Sequence, residues 1–332
     1  MNKKTNNKLK LILGIILIVI IALCAIYLQF FNNQYNETTN IYSDINIDTS
    51  KLNIFYFNVG QADSSLILYK DKVILIDAGN ESDGEKIVEF LKAKGIIQID
   101  YLIGTHIHED HIGGMIDVIN DISIEKIFMP YNEKNNSDFY NKVKRSISNK
   151  NLSIDIVKEK DKFYIDNDFL FKILYVDNTE PSETNNASIV IELTYKEQQY
   201  LFMGDAQKEV ENKLLYNGLL EDIDVLKVGH HGSDTSTTEN FLDKILPEIS
   251  IISVQEGVKY DDMPNVDVLE RLEVKSKVYR TDKDGTIWLT SDGKTNTITL
   301  LERLNLNGAN KTAWRVCFKY ALFKCLEILW FV

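Results

Sequence analysis

Residues 105–114 read Thr-His-Ile-His-Glu-Asp-His-Ile-Gly-Gly, and this stretch is the most informative in the chain. It lies between a strand-type run and a run with helical spacing. Side chains two positions apart project to the same side of an extended backbone, so His106 and His108 would face one ligand together. The chain then turns, which lets Asp110 and His111 face a neighbouring position. A polar loop capping a helix would explain Asp110 but not the three imidazoles, so the pattern predicts two adjacent metal sites.

Histidine and cysteine are unevenly distributed along the chain. All five histidines lie in two short clusters, at positions 106, 108, 111, 230 and 231. A lone histidine would most simply be a core residue, whereas this clustering indicates a site. The three cysteines lie in the terminal segments, at positions 24, 317 and 325. A metal bound between residues 32 and 304 would therefore use His, Asp or Glu, a ligand set that suits Zn²⁺ and also accommodates Mn²⁺.

The composition excludes several classes of protein. The chain has 332 residues, of which 44% are apolar and 26% charged, so it can bury a sizeable core and is not disordered throughout. The net charge is −12, and because both ends are basic the acidity is concentrated in the middle. This distribution argues against a broad basic track for nucleic acid. A bound metal could still supply positive charge locally.

Residues 11–31 form an uncharged, almost unbroken apolar run, and four lysines precede it in residues 1–10. A run of this length is enough for a helix that spans a bilayer. The positive-inside tendency predicts that residues 1–10 stay in the cytoplasm and that the chain after residue 31 lies outside. A cleaved signal peptide is the competing interpretation, although the run is longer than usual for one and no clear cleavage site follows it. The prediction is a single-pass protein of the cell membrane that contacts the lipid bilayer through residues 11–31.

Three segments follow the predicted anchor. Residues 32–50 are polar and lack a hydrophobic period, so they are predicted to form a linker. Residues 51–304 are predicted to form the globular domain. Residues 305–332 are basic and aromatic, unlike the chain before them. This tail is interpreted either as a poorly packed segment or altered reading frame, or as a helix lying on anionic lipid, and its role is left open.

Within residues 51–304, short strand-type runs alternate with runs of helical spacing in two similar series. Each series ends in a polar cluster, the first at residues 105–111 and the second at residues 230–231. Strands and helices in this order predict an α+β fold in which two sheets pack face to face with helices outside.

The cluster at residues 106–111 matches the H-x-H-x-D-H signature at every position, and on it the chain resembles the metallo-β-lactamase superfamily. Further segments are similar to the branch that includes the hydrolase domain of the competence protein ComEC and the phosphorylcholine esterases; they are residues 58–64, 75–79, 202–205 and 226–233. The resemblance covers about residues 52–301. It implies a four-layer αββα sandwich that holds two divalent metal ions.

The resemblance also implies which residues bind metal. Two ligand pairs and one carboxylate shared between the ions would be His106 with His108, Asp110 with His111, and Asp205. For Asp205, a helix N-cap is the alternative role. Asp63 and Asp77 resemble positions that orient the ligand loop, although each could instead be a plain turn residue.

His230 and His231 are assigned different roles by the same resemblance. One would complete the second metal site, and the other would face the substrate as a hydrogen-bond donor or proton carrier. Adjacent residues do not project identically from the end of an extended strand. The sequence leaves the choice open, with a slight preference for His230 as the ligand because it directly follows Gly229. Catalytic roles fall to Asp110, Asp205 and His231.

Three departures from the family pattern weaken the transfer of a particular substrate. Residues 112–204 contain no histidine, so the protein would offer the first ion only His106, His108 and Asp205. Residues 262–264 read Asp-Met-Pro, where the competence branch tends to have a histidine before proline. Ala62 stands where that branch usually has glycine.

The ligand set and the resemblance together predict a membrane-anchored, extracytoplasmic hydrolase that cleaves phosphodiester bonds with metal-activated water. The phosphoester substrates considered are nucleic acid such as DNA and a polymer or choline-type ester of the cell envelope; no protein partner can be inferred. One alternative is a lactone or β-lactam hydrolase. Another is a sensory ectodomain that binds metal without turnover. A diiron oxidoreductase is disfavoured because no flavin-binding domain has room after residue 301.

Overall fold

The computed structural model describes residues 14–15, 18–27, 29, 42, 45–132, 137–255, 257 and 262–301. The chain separates into two compact units, Met1–Asn46 and Ile47–Val332. Residues 18–27 of the first unit are helical. Within the described residues, no helix combines the length and the apolar character that a membrane crossing needs. The predicted segments 1–10 and 305–332 lie outside the described residues, and the predicted anchor and linker are described only in part, so these boundaries stay predictions.

The described part of the second unit contains strands that form two sheets. The strands are β1 Leu52–Tyr56, β2 Ser65–Tyr69, β3 Lys72–Ile76, β4 Gln98–Ile103, β5 Ser123–Phe128, β6 Ile154–Asp155, β7 Lys162–Tyr164, β8 Phe169–Tyr175, β9 Val190–Tyr195, β10 Gln198–Phe202, β11 Val225–Lys227, β12 Ile249–Ile252, β13 Lys277–Arg280, β14 Thr286–Ser291 and β15 Asn296–Leu301. Among these residues the first sheet has the order β15-β14-β1-β2-β3-β4-β5-β6, and the second has the order β13-β12-β11-β10-β9-β8-β7.

Helices connect the strands and also follow the ligand cluster. The α-helices of the described residues are α1 Gly84–Ala93, α2 Glu109–Ile112, α3 Met115–Asp121, α4 Asp138–Asn149, α5 Lys208–Tyr216, α6 Glu239–Ile245, α7 Val266–Lys275 and α8 Thr281–Asp284. Two short 3-10 turns matter for the site, Thr184–Ala187 and Gly229–Gly232.

The two sheets face each other across the main apolar core. Tyr56 of β1 stacks on Phe202 of β10 with ring centroids 6.0 Å apart. Because side chains alternate along a strand, Phe55 points to the other face of the first sheet, where its ring meets Phe90 of α1 at 5.4 Å. A second apolar cluster joins β10 and β11 to α5, α6 and α7. The predicted α+β fold with two sheets is therefore confirmed.

Parallel pairing at the centre of each sheet positions the site. β3 pairs with β4 in the first sheet, and β10 pairs with β11 in the second, both in parallel. Parallel neighbours end at the same edge of a sheet, so the loops that follow them emerge together. The loops after β4, β10 and β11 carry the predicted ligands, and the loop after β3 carries Asp77.

Candidate metal centre

Four residues from both sheets direct ligand atoms into one buried space. They are Asp110, His111, Asp205 and His231, and one ligand atom of each lies within 4.8 Å of the others. Nε2 of His111 lies 3.2 Å from Oδ1 of Asp205, and Nε2 of His231 lies 3.3 Å from Oδ2 of Asp110. A tetrahedral ion with bonds of about 2.0–2.1 Å spaces its ligand atoms about 3.3 Å apart. The spacing of these side chains therefore fits such an ion.

His106, His108 and Asp205 form a second group within the same distance of one another. Nε2 of His106 lies 3.0 Å from Nδ1 of His108 and 3.6 Å from Oδ2 of Asp205. Oδ1 of Asp205 faces the first group of four, whereas Oδ2 faces His106. The carboxylate is thus shared between two adjacent groups, one oxygen to each.

Several buried polar atoms of these groups lack a hydrogen bond. Among the described residues, Nε2 of His111, Oδ1 of Asp205 and Nε2 of His231 are buried and have no hydrogen-bond partner. Buried polar atoms are normally paired, and an unpaired one costs folding free energy. Because these atoms converge and are imidazole nitrogens and carboxylate oxygens, they fit a divalent ion of the Zn²⁺ or Mn²⁺ type.

Asp77 holds the ligand loop and orients His111. Its Oδ2 accepts a hydrogen bond from Nδ1 of His111 at 2.8 Å. Its Oδ1 accepts one from the backbone N–H of Thr105, and the Thr105 hydroxyl donates to Oδ2, both at 2.8 Å. When Nδ1 of a neutral imidazole donates to a carboxylate, Nε2 presents its lone pair to a metal. Asp77 has a φ of 57°, a strained conformation for a residue with a side chain.

His231 is supported from both sheets, by Asp63 of the β1–β2 loop in the first and by Lys227 and Ser253 in the second. Nδ1 of His231 donates to the backbone oxygen of Ser253 at 2.9 Å and lies 3.4 Å from Oδ1 of Asp63. The buried ammonium of Lys227 donates to Oδ2 of Asp63 at 2.7 Å. Burial alone would raise the pKa of Asp63, but the charges of Lys227 and His231 hold it below its usual value. Asp63 is therefore ionised, and Nε2 of His231 is left facing the ligand group.

His230 lies beside the two groups and belongs to neither. Its Nδ1 is 2.8 Å from the Thr235 hydroxyl, and its Nε2 is 3.9 Å from Oδ2 of Asp205. Its side chain is 17% exposed, whereas that of His231 is 3% exposed. The geometry favours His231 as the ligand and His230 as the residue facing substrate, which reverses the preference drawn from the sequence. The division of roles itself stays a prediction.

The ligands shift one another's pKa values strongly. Burial alone would raise the pKa of Asp205, but positive charge on His111 and His231 holds it well below its usual range. Burial disfavours protonation of His231, yet Asp205, Asp110 and Asp63 raise its pKa to about 10. The pKa of His111 is also raised: burial alone would lower it, but the nearby carboxylates, Asp205 above all, outweigh that effect. Protons on these two histidines balance the carboxylates, and a metal ion would displace them.

The structure brings all seven predicted ligands, with Asp63 and Asp77, into one region, but it adds residues that the sequence did not single out. Lys227 could have been found, because it is a charged residue at the end of the otherwise apolar strand β11. Ser253 acts through its backbone, and Asn185 lies in a polar turn whose partners are distant in sequence. Neither has a local sequence pattern that predicts its place.

Comparisons with known proteins identify the family of this chain. A family profile described as Metallo-beta-lactamase superfamily matches residues 57–256. ComE operon protein 3 of Bacillus subtilis is 32% identical over 252 residues, which is 69% of this chain and 32% of that protein. Recombination protein 2 of Haemophilus influenzae is 30% identical over 69% of this chain and 28% of its own length. This chain spans about a third of the length of the curated relatives it matches, which also include Competence protein ComA of Neisseria gonorrhoeae.

Among solved structures, the metallo-beta-lactamase fold protein YhfI of Bacillus subtilis is 9% identical and aligns with a TM-score of 0.44, covering 73% of this chain and 100% of YhfI. The family profile covers more than half of the chain and includes the ligand loops of both sheets. The chain therefore belongs to the metallo-β-lactamase superfamily, and its relatives include competence proteins of the ComEC type.

Proposed function

We propose that the chain is a binuclear metal-dependent hydrolase that cleaves phosphodiester bonds. The observation that carries this proposal is the shared carboxylate of Asp205, whose two oxygens face two adjacent ligand groups. A pair of divalent ions in such groups would supply an activated water and neutralise charge on the attacked phosphoryl group. His106 and His108 would hold one ion, with Asp110, His111 and His231 on the other.

The residues around the two groups are suited to keeping the ligands in place. Oδ2 of Asp77 and the backbone oxygen of Ser253 accept hydrogen bonds from Nδ1 of His111 and Nδ1 of His231, respectively, so each Nε2 is directed inward. His230 is partly exposed and has Nε2 near Asp205 without belonging to either group. It would contact the substrate and either donate a hydrogen bond to an oxygen that gains charge or carry a proton.

Phosphodiesters are the favoured substrate class because the two bound metal ions could neutralise their negative charge without help from a basic protein surface. The net charge of the chain is −12, so the protein surface offers little general attraction to a polyanion. The ligand set contains no thiolate and includes a carboxylate shared by two groups. Such a set is compatible with two metal ions that bind the oxygens of a phosphoryl group from both sides. DNA is one substrate to test because relatives bear names of competence and recombination proteins, and an envelope phosphoester is the other.

The proposal includes a place in the cell. Residues 11–31 would anchor the chain in the membrane with the four preceding lysines in the cytoplasm, so that the hydrolase faces outward. The support for this is the apolar run and its basic flank.

The test uses the purified full-length chain, reconstituted with Zn²⁺ or Mn²⁺. We expect about two ions per chain and hydrolysis of bis-p-nitrophenyl phosphate. Asp205→Ala should lower turnover by at least about a thousandfold and reduce bound metal, whereas the exposed carboxylate variant Asp222→Ala should match the wild type. Hydrolysis of nitrocefin without phosphodiester cleavage would contradict the substrate class, and full activity in Asp205→Ala would contradict the shared-ligand mechanism.

A further inference from the structure

Asn185, whose carboxamide contacts His230 beside the ligand groups, has a buried side-chain oxygen with no partner among the described residues. The residue is 6% exposed, and Oδ1 makes no hydrogen bond to any described residue. Its amide nitrogen is engaged, since Nδ2 lies 3.4 Å from Nε2 of His230. A buried carbonyl oxygen without a partner costs folding free energy. A hydrogen-bond donor or a cation from outside the chain would remove that cost.

The position of Asn185 relative to Asp205 shows which group it adjoins. Oδ1 of Asp205 faces His111 and His231, at 3.2 and 3.7 Å. Oδ2 faces His106 at 3.6 Å and His230 at 3.9 Å. Because Asn185 contacts His230, its carboxamide lies on the Oδ2 side. This is the side of the ion that His106 and His108 would hold.

Backbone contacts fix the Thr184–Ala187 turn between the two ligand-bearing loops. On one side, the N–H of Ile189 donates to the oxygen of Thr105, the residue before His106, at 2.9 Å. On the other side, the N–H of Asp205 donates to the Ser188 hydroxyl at 3.1 Å. Because Ser188 and Ile189 directly follow the turn, these contacts tie its end to both ligand loops and place Asn185 near them.

The two groups also differ in the number of charged or imidazole donors. Among the described residues, the group on Oδ1 has Asp110, His111 and His231 besides Asp205, whereas the group on Oδ2 has only His106 and His108 besides Asp205. We propose that Oδ1 of Asn185 is the additional protein donor for the ion held by His106, His108 and Asp205. This inference rests on the metal binding in the proposed function. An amide oxygen is a hard ligand, so it would favour Mn²⁺ at this position more than a third imidazole would.

The experiment measures ion binding to the full-length protein, not turnover. Metal-free wild type, Asn185→Ala, Asn185→Asp and the matched control Thr184→Ala are titrated with Zn²⁺ and with Mn²⁺ against a chromophoric chelator. We expect the wild type and Thr184→Ala each to bind two ions, and the affinity for each ion to be the same in both proteins. Asn185→Ala should bind one of the two ions at least about tenfold more weakly, since even partners outside the ligand shell are worth about 10–100-fold. Asn185→Asp keeps an oxygen at this place and should bind that ion at least as tightly as the wild type.

Each outcome decides between the inference and its alternatives. Wild-type affinity for both ions in Asn185→Ala overturns the inference while leaving the proposed function intact. A loss in Asn185→Asp equal to that in Asn185→Ala also overturns it, because the amide nitrogen and its contact with His230 would then be what matters. If circular dichroism shows that Asn185→Ala does not fold, the Asn185→Asp titration alone decides. A wild type that binds no ion overturns the proposed function as well, and a wild type that binds two ions but cleaves no phosphodiester overturns only the proposed function.

Discussion

His230 and His231 are consecutive residues with different surroundings, and the cause lies in their backbone. Both have positive φ values, 47° and 52°, which side-chain-bearing residues adopt at a cost of about 1–3 kcal/mol each. The resulting turn separates their ring centroids by 6.2 Å. It directs His231 into the ligand group and leaves His230 at the partly exposed side of Asp205.

Single alanine variants of these two histidines should therefore differ in kind. We expect His231→Ala to lose about one metal equivalent, because the variant removes one of the four donors of that group and leaves only Asp110, His111 and the shared Asp205. His230→Ala should keep both ions and lose about a hundredfold to a thousandfold in turnover, the effect of removing one donor to a developing charge. Metal analysis and turnover of each purified variant measure this. Loss of a metal equivalent in both variants, or in neither, would show that the roles are not divided in this way.

The pH dependence of stability should have opposite signs with and without metal. The pKa of His231 is raised to about 10 from an ordinary value of 6.5, so its protonation stabilises the metal-free fold below pH 6.5. That contribution is lost as the pH rises from 6.5 through about 10. Metal binds the unprotonated ring, so stabilisation by Zn²⁺ should increase over the same range.

Urea unfolding at pH 7, 8 and 9, in chelator and in excess Zn²⁺, measures both slopes. His231→Asn in chelator is the control and should show a flatter dependence than the wild type, because it lacks the titrating group. Metal-free stability that rises between pH 7 and 9 in the wild type would contradict the assignment of the proton to His231.

Helices α3 and α1 begin so close to each other that neither Gly114 nor Gly84 has room for a side chain. A Cβ on Gly114 would lie 2.1 Å from the backbone oxygen of Ala78, and one on Gly84 would lie 2.6 Å from the oxygen of Gly114. The N–H of Ala78 donates to the oxygen of His111 at 2.7 Å. This packing therefore holds the ligand loop against the loop that carries Asp77.

Gly114→Ala should destabilise the protein by about 1–3 kcal/mol, because the added methyl group meets backbone atoms that cannot move independently. It should also weaken metal binding, since relief of the clash displaces the segment after His111. Gly218→Ala is the contrasting variant: no atom lies within 4 Å of its Cβ, but its φ is 61°, so only backbone strain of about 1 kcal/mol is expected. Chemical denaturation and metal titration of both variants test this, and equal metal affinity in Gly114→Ala and the wild type would argue against the coupling.

The elements themselves were predictable to different degrees. Strands β2 and β8 follow from their apolar runs, because all of β2 and most of β8 are buried and few polar residues lie within them. Helix α4 was not predicted, since its sequence is mostly polar and only a few apolar residues, such as Tyr140 and Val143, face the protein. The pairing of strands was harder to predict than the strands themselves. β14 pairs with β1 across more than two hundred residues, and no local pattern specifies that register.

At the scale of the whole molecule, the chain does not divide into one sheet per half as two successive series of strands would suggest. β14 and β15 come last in the described chain but complete the first sheet beside β1. The site was predictable because its histidines and Asp205 follow strand ends with clear patterns. The position of the Thr184–Ala187 turn between the ligand loops was not, because long-range contacts determine it.

The proposed orientation in the membrane has its own test. Protease added to intact cells should remove the hydrolase domain, because the four lysines before residue 11 favour retention of the N-terminus inside. An immunoblot with an antibody against the domain measures this, and a cytoplasmic protein in the same sample controls for leakage. Protection of the domain in intact cells that is lost only on lysis would place it in the cytoplasm.

The shared carboxylate belongs to the second sheet, whereas the 105–111 cluster follows the first, so bound ions would tie the two halves of the domain together. The chain between His106 and Asp205 would form a closed loop of about 100 residues, which restricts the unfolded ensemble as a cross-link does. Chains that open transiently are the ones that proteases cleave. We therefore expect a chelator to shorten the survival of the full-length protein in pulse proteolysis, with wild type in excess Zn²⁺ as the reference. The availability of metal would then govern how long each molecule lasts as well as how fast it works.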